Sequence, residues 1–220
     1  MGRALVAACT LGTLLAAAPA AQGAYLERQV RSFDGWTRAA YWEMVPLVPA
    51  PLAQDVTYRA HGDPSAAAGD PPTAVRIEVT DRDDPMEADE TGGCVAVRFY
   101  GTCVGSGYQA MHVSLWGRAK FRDTADSAPI PLGVLINGGD GGQATFASAA
   151  AITFTGGPGP DTVALADTTA GGAWINSNGG DDTIDVRNGK ADAVDCGAGT
   201  DGVQADPADD VRPDCESVSR

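Results

Sequence analysis

Four glycine-and-aspartate phrases, each behind a short apolar run, recur at a nearly fixed interval between Ile136 and Gln204. They read Gly138-Gly-Asp-Gly-Gly-Gln143, Gly156-Gly-Pro-Gly-Pro-Asp161, Ser177-Asn-Gly-Gly-Asp-Asp182 and Cys196-Gly-Ala-Gly-Thr-Asp201. Aligned on their sixth residue, they start at 138, 156, 177 and 196, so the spacings are 18, 21 and 19. Such a period marks a stacked architecture, in which one unit cannot bury its apolar face alone and its neighbours complete the core. The expected fold is all-β: a parallel β-roll or β-helix solenoid over 130–220. A degenerate, partly irregular β region over 24–129, with a short N-terminal cap, is expected to lead into it.

Apolar periodicity supports strands ahead of the phrases. Val56, Tyr58 and Ala60 alternate with polar residues, as do Val75, Ile77 and Val79, then Val95, Val97 and Phe99, then Met111, Val113 and Leu115. Strict alternation puts one face of a strand on a core and the other in water. Gly62-Asp-Pro64, Gly69-Asp-Pro-Pro72 and Asp83-Asp-Pro85 lie between these runs and are turn chemistry. Residues 25–50 read differently. Leu26, Val30 and Phe33 are spaced like one helical face, and Trp36 to Val45 reads as a strand or the rest of that helix. Pro46, Pro49 and Pro51 then stop any regular element. The aromatic cluster there is expected to cap the open end of the stack.

Charge narrows the partners. The chain carries 29 acidic and 15 basic residues, a formal net charge of −14. From residue 130 onward there are 14 acids against four bases, and over 24–129 there are 15 against 10, so the negative excess lies with the glycine phrases. An acidic surface repels nucleic acid, whose tight binding needs clustered Lys and Arg, and it repels anionic lipid. Divalent cations are the natural partners. The run Asp81 to Glu90, with six acids against Arg82, reads as a solvated loop.

The first residues look like a secretory signal. Arg3 precedes an apolar stretch from Leu5 to Ala18, and Ala18-Pro-Ala20 and Ala21-Gln-Gly23 offer small residues for cleavage. The stretch falls short of the roughly 20 apolar residues that span a bilayer. Residues 1–23 are therefore expected to be removed on the way to an extracellular location. Cys94, Cys103, Cys196 and Cys215 then remain, and four cysteines in an exported chain suggest two disulfides in one of three connectivities. The local scheme, Cys94–Cys103 and Cys196–Cys215, is favoured because each pair brackets one turn-rich segment. A zinc site is disfavoured, since neither pair has the close spacing of a zinc knuckle and His61 and His112 are remote from both in sequence.

Calcium explains the residue types in the phrases. Ca²⁺ is a hard cation that takes about 6–8 oxygens from carboxylates and peptide carbonyls. Glycine lets a turn aim its carbonyls inward, and the aspartate leads into a strand whose next inward side chain is apolar. The nonapeptide Gly-Gly-x-Gly-x-Asp-x-U-x, with U apolar, belongs to calcium-binding parallel β-rolls. The copy at 156–164 satisfies every fixed position. The copies at 177–185 and 196–204 keep Gly180 and Gly199, Asp182 and Asp201, and Ile184 and Val203. The copy at 138–146 has Gln143 and Thr145 where aspartate and an apolar residue belong.

On these residues the region 136–204 resembles the hemolysin-type (RTX) calcium-binding repeat family. The stretch from Asp182 to Asp201, with Ala205 to Val211 and Asp214-Cys-Glu216, is similar to the terminal coil of its small secreted actinobacterial-type members, where the two cysteines pair. The resemblance implies Asp161, Asp182 and Asp201 as ligands, with carbonyls near Gly157, Gly159, Gly180 and Gly199. Asp140 and Asp181 are secondary. One to three Ca²⁺ ions are expected, and the 21-residue spacing implies an insertion at Thr168–Gly172, on the edge opposite the phrases.

No catalytic constellation is legible. Neither histidine sits beside a Gly-x-Ser-x-Gly turn, and neither a His-Glu-x-x-His helix nor a phosphate-cradling loop is present. The expectation is a secreted, monomeric, non-enzymatic calcium-binding protein. Its alternatives are a β-helix that binds or cleaves polysaccharide, with Arg187 or Lys190 as the basic residue, and a surface adhesive or structural spacer.

Overall fold

A computed structural model describes residues 23–30, 37–44, 53–62, 74–81, 86–88, 90, 93–114, 118–123, 133–137, 140–147, 151–166 and 171–220. Every regular element among them is a strand apart from a one-residue helical turn at Glu90, from β1 (Gly23–Val30) to β18 (Ser217–Ser219). Most belong to two parallel ladders between which the chain alternates. The first runs through β2 (Thr37–Met44), β7 (Tyr100–Ser114), β9 (Gly133–Asn137), β11 (Ala151–Thr155), β13 (Ala173–Asn176), β15 (Ala193–Asp195) and β17 (Asp210–Val211). The second runs through β3 (Ala53–Gly62), β8 (Arg118–Asp123), β10 (Gly142–Phe146), β12 (Thr162–Leu165), β14 (Thr183–Asp185), β16 (Gly202–Gln204) and β18. Each coil supplies one strand to each ladder. This is the expected all-β solenoid of parallel stacked coils.

Register explains how such short strands hold together. In the second ladder Phe121, Ala144, Val163, Ile184 and Val203 lie directly over one another, coil upon coil. In the first, Val113, Ile136, Phe154, Ile175 and Val194 do the same. Except for Ile136, whose burial is not described, these residues are buried, and together with Phe146, which stacks at a tilt against Phe121, they form the core. Burying a Val, Ile or Phe side chain contributes about 1.5–3 kcal/mol, so strands of three residues gain their stability from the column and not from their length.

The N-terminal segment corrects one expectation. Leu26 and Val30 lie on a strand, β1, which pairs antiparallel with β2 in the register Leu26↔Tyr41 and Val30↔Thr37. Residues four apart share a face in a strand as well as in a helix, so their spacing alone did not distinguish the two. The four alternating runs do form strands: β3, β4 (Ala74–Asp81), β6 (Cys94–Val97) and β7. Here β4 pairs antiparallel with β3 and with the first part of β7, while β5 (Met86–Ala88) joins β1. Residues 1–22 of the expected signal over 1–23, the prolines at 46–51 and Arg82–Pro85 of the acidic run lie outside the described residues.

Both disulfides follow the local scheme. Cys94 and Cys103 face each other across β6 and β7, and Cys196–Cys215 closes the last coil with a sequence separation of 19. Replacing Cys196 and Cys215 by serine is expected to cost on the order of 3 kcal/mol in the loop-entropy account, measured as a shift in the urea midpoint of the oxidised protein.

Strand register also locates the irregular spacings. Thr162 pairs with Thr183, and Thr183 with Gly202. Since Trp174 pairs with Ala193, the extra residues of the longer interval fall between Thr162 and Trp174, on the edge opposite the glycine phrases, as expected. The first phrase is shorter than the others. Gln143 pairs with Thr162 and not with Asp161, so Gly142 occupies the aspartate's place and the alignment of Gln143 with Asp161 is off by one residue.

Candidate functional site

Between the ladders the chain turns at two edges. Among the described residues the glycine phrases form the first edge, and turns 186–192 and 205–209 form the second. The same device fastens both. On the first edge the backbone N–H of Asp161 donates to Asp182 Oδ1 at 2.8 Å, that of Asp182 to Asp201 Oδ1 at 2.8 Å, and that of Asp201 to Glu216 Oε2 at 2.9 Å. On the second edge the N–H of Ala173 donates to Asp192 Oδ1, and that of Asp192 to Asp209 Oδ1 at 3.0 Å. The donor always lies one coil ahead of the carboxylate that receives it. Each aspartate thus caps the strand entry of the coil before its own.

These carboxylates are deeply enclosed. Asp161, Asp182, Asp192, Asp201 and Asp209 are between 1% and 6% exposed. Oδ2 of Asp182, Asp192 and Asp201 is buried and has no hydrogen-bond partner. A buried carboxylate oxygen without a partner is costly, and a proton or a cation relieves the cost. Burial pushes the Asp161 carboxyl up to about 6, and the neighbouring Asp182 charge adds to the effect. Asp192 also rises to about 6, through burial first and then through the charges of Asp209 and Asp206. Asp182 is raised mainly by burial.

Turn backbones stack as closely as the carboxylates. Gly179 N–H donates to Gly157 O at 3.1 Å, and Gly180 N–H to Ala198 O at 2.9 Å. Gly180 has φ +121°, and a Cβ there would stand 2.5 Å from the carbonyl carbon of Gly159 on the preceding coil. Only glycine fits. Gly199 stacks in turn on the Gly180 carbonyl, and Gly159 on that of Asp140.

The expected ligands therefore separate into two sets. Asp161, Asp182 and Asp201 share one column, with the Gly157, Gly159, Gly180 and Gly199 turns alongside. Asp181 is exposed and accepts the Thr200 N–H at 3.0 Å, tying neighbouring turns together outside that column. Asp140 is exposed on the shortened first turn. The carboxylates follow one another along the edge, and among the described residues no three His, Cys, Asp or Glu side chains converge on one point. Arg187, the base required by a polysaccharide-cleaving reading, is held by Asp185 through two bonds of 2.9 and 2.7 Å, which lower the Asp185 carboxyl. Lys190 is exposed on the second edge.

Three members of the ladders were missed in the sequence: Asp192, Asp209 and Glu216. A signal for them exists. Asp192-Ala-Val194, Asp209-Asp-Val211 and Glu216-Ser-Val218 repeat the acid-x-apolar core of Asp161-Thr-Val163, Asp182-Thr-Ile184 and Asp201-Gly-Val203. From Asp182 onward the acid returns at about half the period, once per edge. The glycines, which mark only the first edge, hid it.

No protein-family model matches this chain, and no curated protein or solved structure matches it. Fold and site together define a β-solenoid of parallel coils with a ladder of buried carboxylates along each turn edge. The donor set suits a hard cation. It offers unpartnered carboxylate oxygens beside peptide carbonyls, and all four described cysteine sulfurs are taken up in disulfides.

Proposed function

We propose that this is a secreted, non-enzymatic calcium-binding solenoid, whose first edge takes Ca²⁺ through the carboxylates of Asp161, Asp182 and Asp201 and the turn carbonyls beside them. The observation that carries this reading is the buried Oδ2 of Asp182 and Asp201, left without a partner in a column of like charge. A bound divalent cation supplies the positive charge this column lacks. The chain's own residues then set where it sits: glycine turns bring the carbonyls close, and each Oδ1 stays engaged with the neighbouring coil. Asp192 and Asp209 give the second edge the same backbone-capped construction. Export is supported by the two disulfides, which persist in oxidising compartments.

Two measurements test the reading. Circular dichroism of the chelated protein is expected to gain β signal as calcium is added, within the ~1 mM range of weak extracellular modules. Native mass spectrometry is expected to count fewer bound ions on Asp182→Ala than on the wild type. No spectral change and no bound ion up to that concentration overturns it.

A further inference from the structure

In the last described coil each edge is capped by a different arrangement. On the first edge the cap is Glu216, whose carboxylate accepts the Asp201 N–H. On the second edge the turn 205–209 has its buried acid, Asp209, fully engaged. Asp209 Oδ1 accepts the N–H of Asp192 and Oδ2 that of Asp206, while Asp206 Oδ2 accepts the N–H of Gly189. Unlike Asp192, Asp209 has no oxygen left without a partner. The turn also presents two peptide carbonyls, that of Asp206, which accepts the Asp209 N–H at 3.2 Å, and that of Asp209. Arg220 Nη1 bridges these two, donating at 3.0 and 3.1 Å.

We propose that the Arg220 guanidinium is the resident cation of this turn, occupying the carbonyl pair that a metal ion would otherwise use. The turn therefore stays free of metal, and ion binding on the second edge ends at Asp192. This inference rests on the calcium reading above and adds what limits the number of ions. The chemistry is that of an internal competitor. A guanidinium carries a permanent positive charge and donates to carbonyl oxygens, but it is tethered, so it needs no free cation in solution. Asp206, partly exposed beside the same carbonyls, gives an incoming divalent ion its carboxylate once the arginine is gone.

The test counts calcium by native mass spectrometry on the full chain as wild type, Arg220→Gln, Arg220→Lys and Asp182→Ala. Arg220→Gln is expected to bind one ion more than the wild type. Arg220→Lys, which keeps a tethered cation, is expected to hold the wild-type number. An unchanged count in Arg220→Gln overturns the proposal, whatever the melting temperature does. A gain in Arg220→Lys as large as in Arg220→Gln overturns it too, because the cause would then lie outside the charge. Failure of the calcium reading shows separately, as a wild type and an Asp182→Ala variant that bind equally little.

Discussion

Gly180→Val is expected to lower stability by about 2–6 kcal/mol, combining roughly 1–3 kcal/mol of backbone strain at positive φ with 1–3 kcal/mol of overpacking. The new Cβ would meet the carbonyl carbon of Gly159 at 2.5 Å and the nitrogen of Pro160 at 2.7 Å. Both are backbone atoms of the preceding coil, so neither can rotate aside. Opening a gap there pulls apart the Asp161–Asp182 link, which lies in the adjoining residues. Gly189 supplies the control. It also has positive φ, +74°, but nothing lies within 4 Å of an added Cβ. Gly189→Ala is expected to cost only about 1 kcal/mol, the backbone part alone. Urea denaturation with a constant slope measures both. Equal losses at the two positions would show that coil-to-coil contact at the glycine column contributes nothing.

The second large effect is an inverted pH dependence. Asp161 and Asp192 rise from 3.8 to about 6 in the folded chain, and Asp182 also rises. A folded-state pKa above the unfolded one means that the folded chain holds the proton more tightly. The resulting stabilisation is complete below about 3.8 and is lost as pH climbs through about 6. In chelator the melting temperature is therefore expected to fall between pH 4 and pH 7, against the usual trend of acid destabilisation. Saturating calcium is expected to flatten that fall, because a cation replaces the proton on the same oxygens. A melting temperature in chelator that rises steadily from pH 4 to pH 7 would rule this out.

The fold was legible because the repeat and the core column are the same fact seen twice. The apolar residue two places after each aspartate, Val163, Ile184 or Val203, is the one that stacks in the second ladder. Both disulfides were legible for a related reason, since each closes a turn that the strands already bring together. Three things were not. The offset at Gln143 depends on one missing residue in a turn, and composition does not register it. The strand character of Leu26 and Val30 was masked by a four-residue spacing common to helix and strand. The second ladder lacks a glycine signature because the turns carrying Asp192 and Asp209 use Asn188, Gly189 and Pro207 where the first edge uses paired glycines. In the fold Asp182 and Asp201 each also serve the backbone of the neighbouring coil. Coulomb repulsion between them is moderated by those N–H donors, so the column does not depend wholly on an added charge.

The one-way order of the buried-carboxylate bonds has a consequence for how such a chain can change in length. From Asp161 to Asp201 on the first edge, and from Ala173 to Asp192 on the second, each coil is capped by the coil that follows it, so these coils are interchangeable. A coil duplicated or lost between β11 and β15 leaves each remaining N–H facing an aspartate of the same kind. The segment from Cys196 to Arg220, with its disulfide, its glutamate and its bridging arginine, differs from the coils before it. Variation in the number of coils is thus most readily accommodated by intercalation upstream of the disulfide-closed coil.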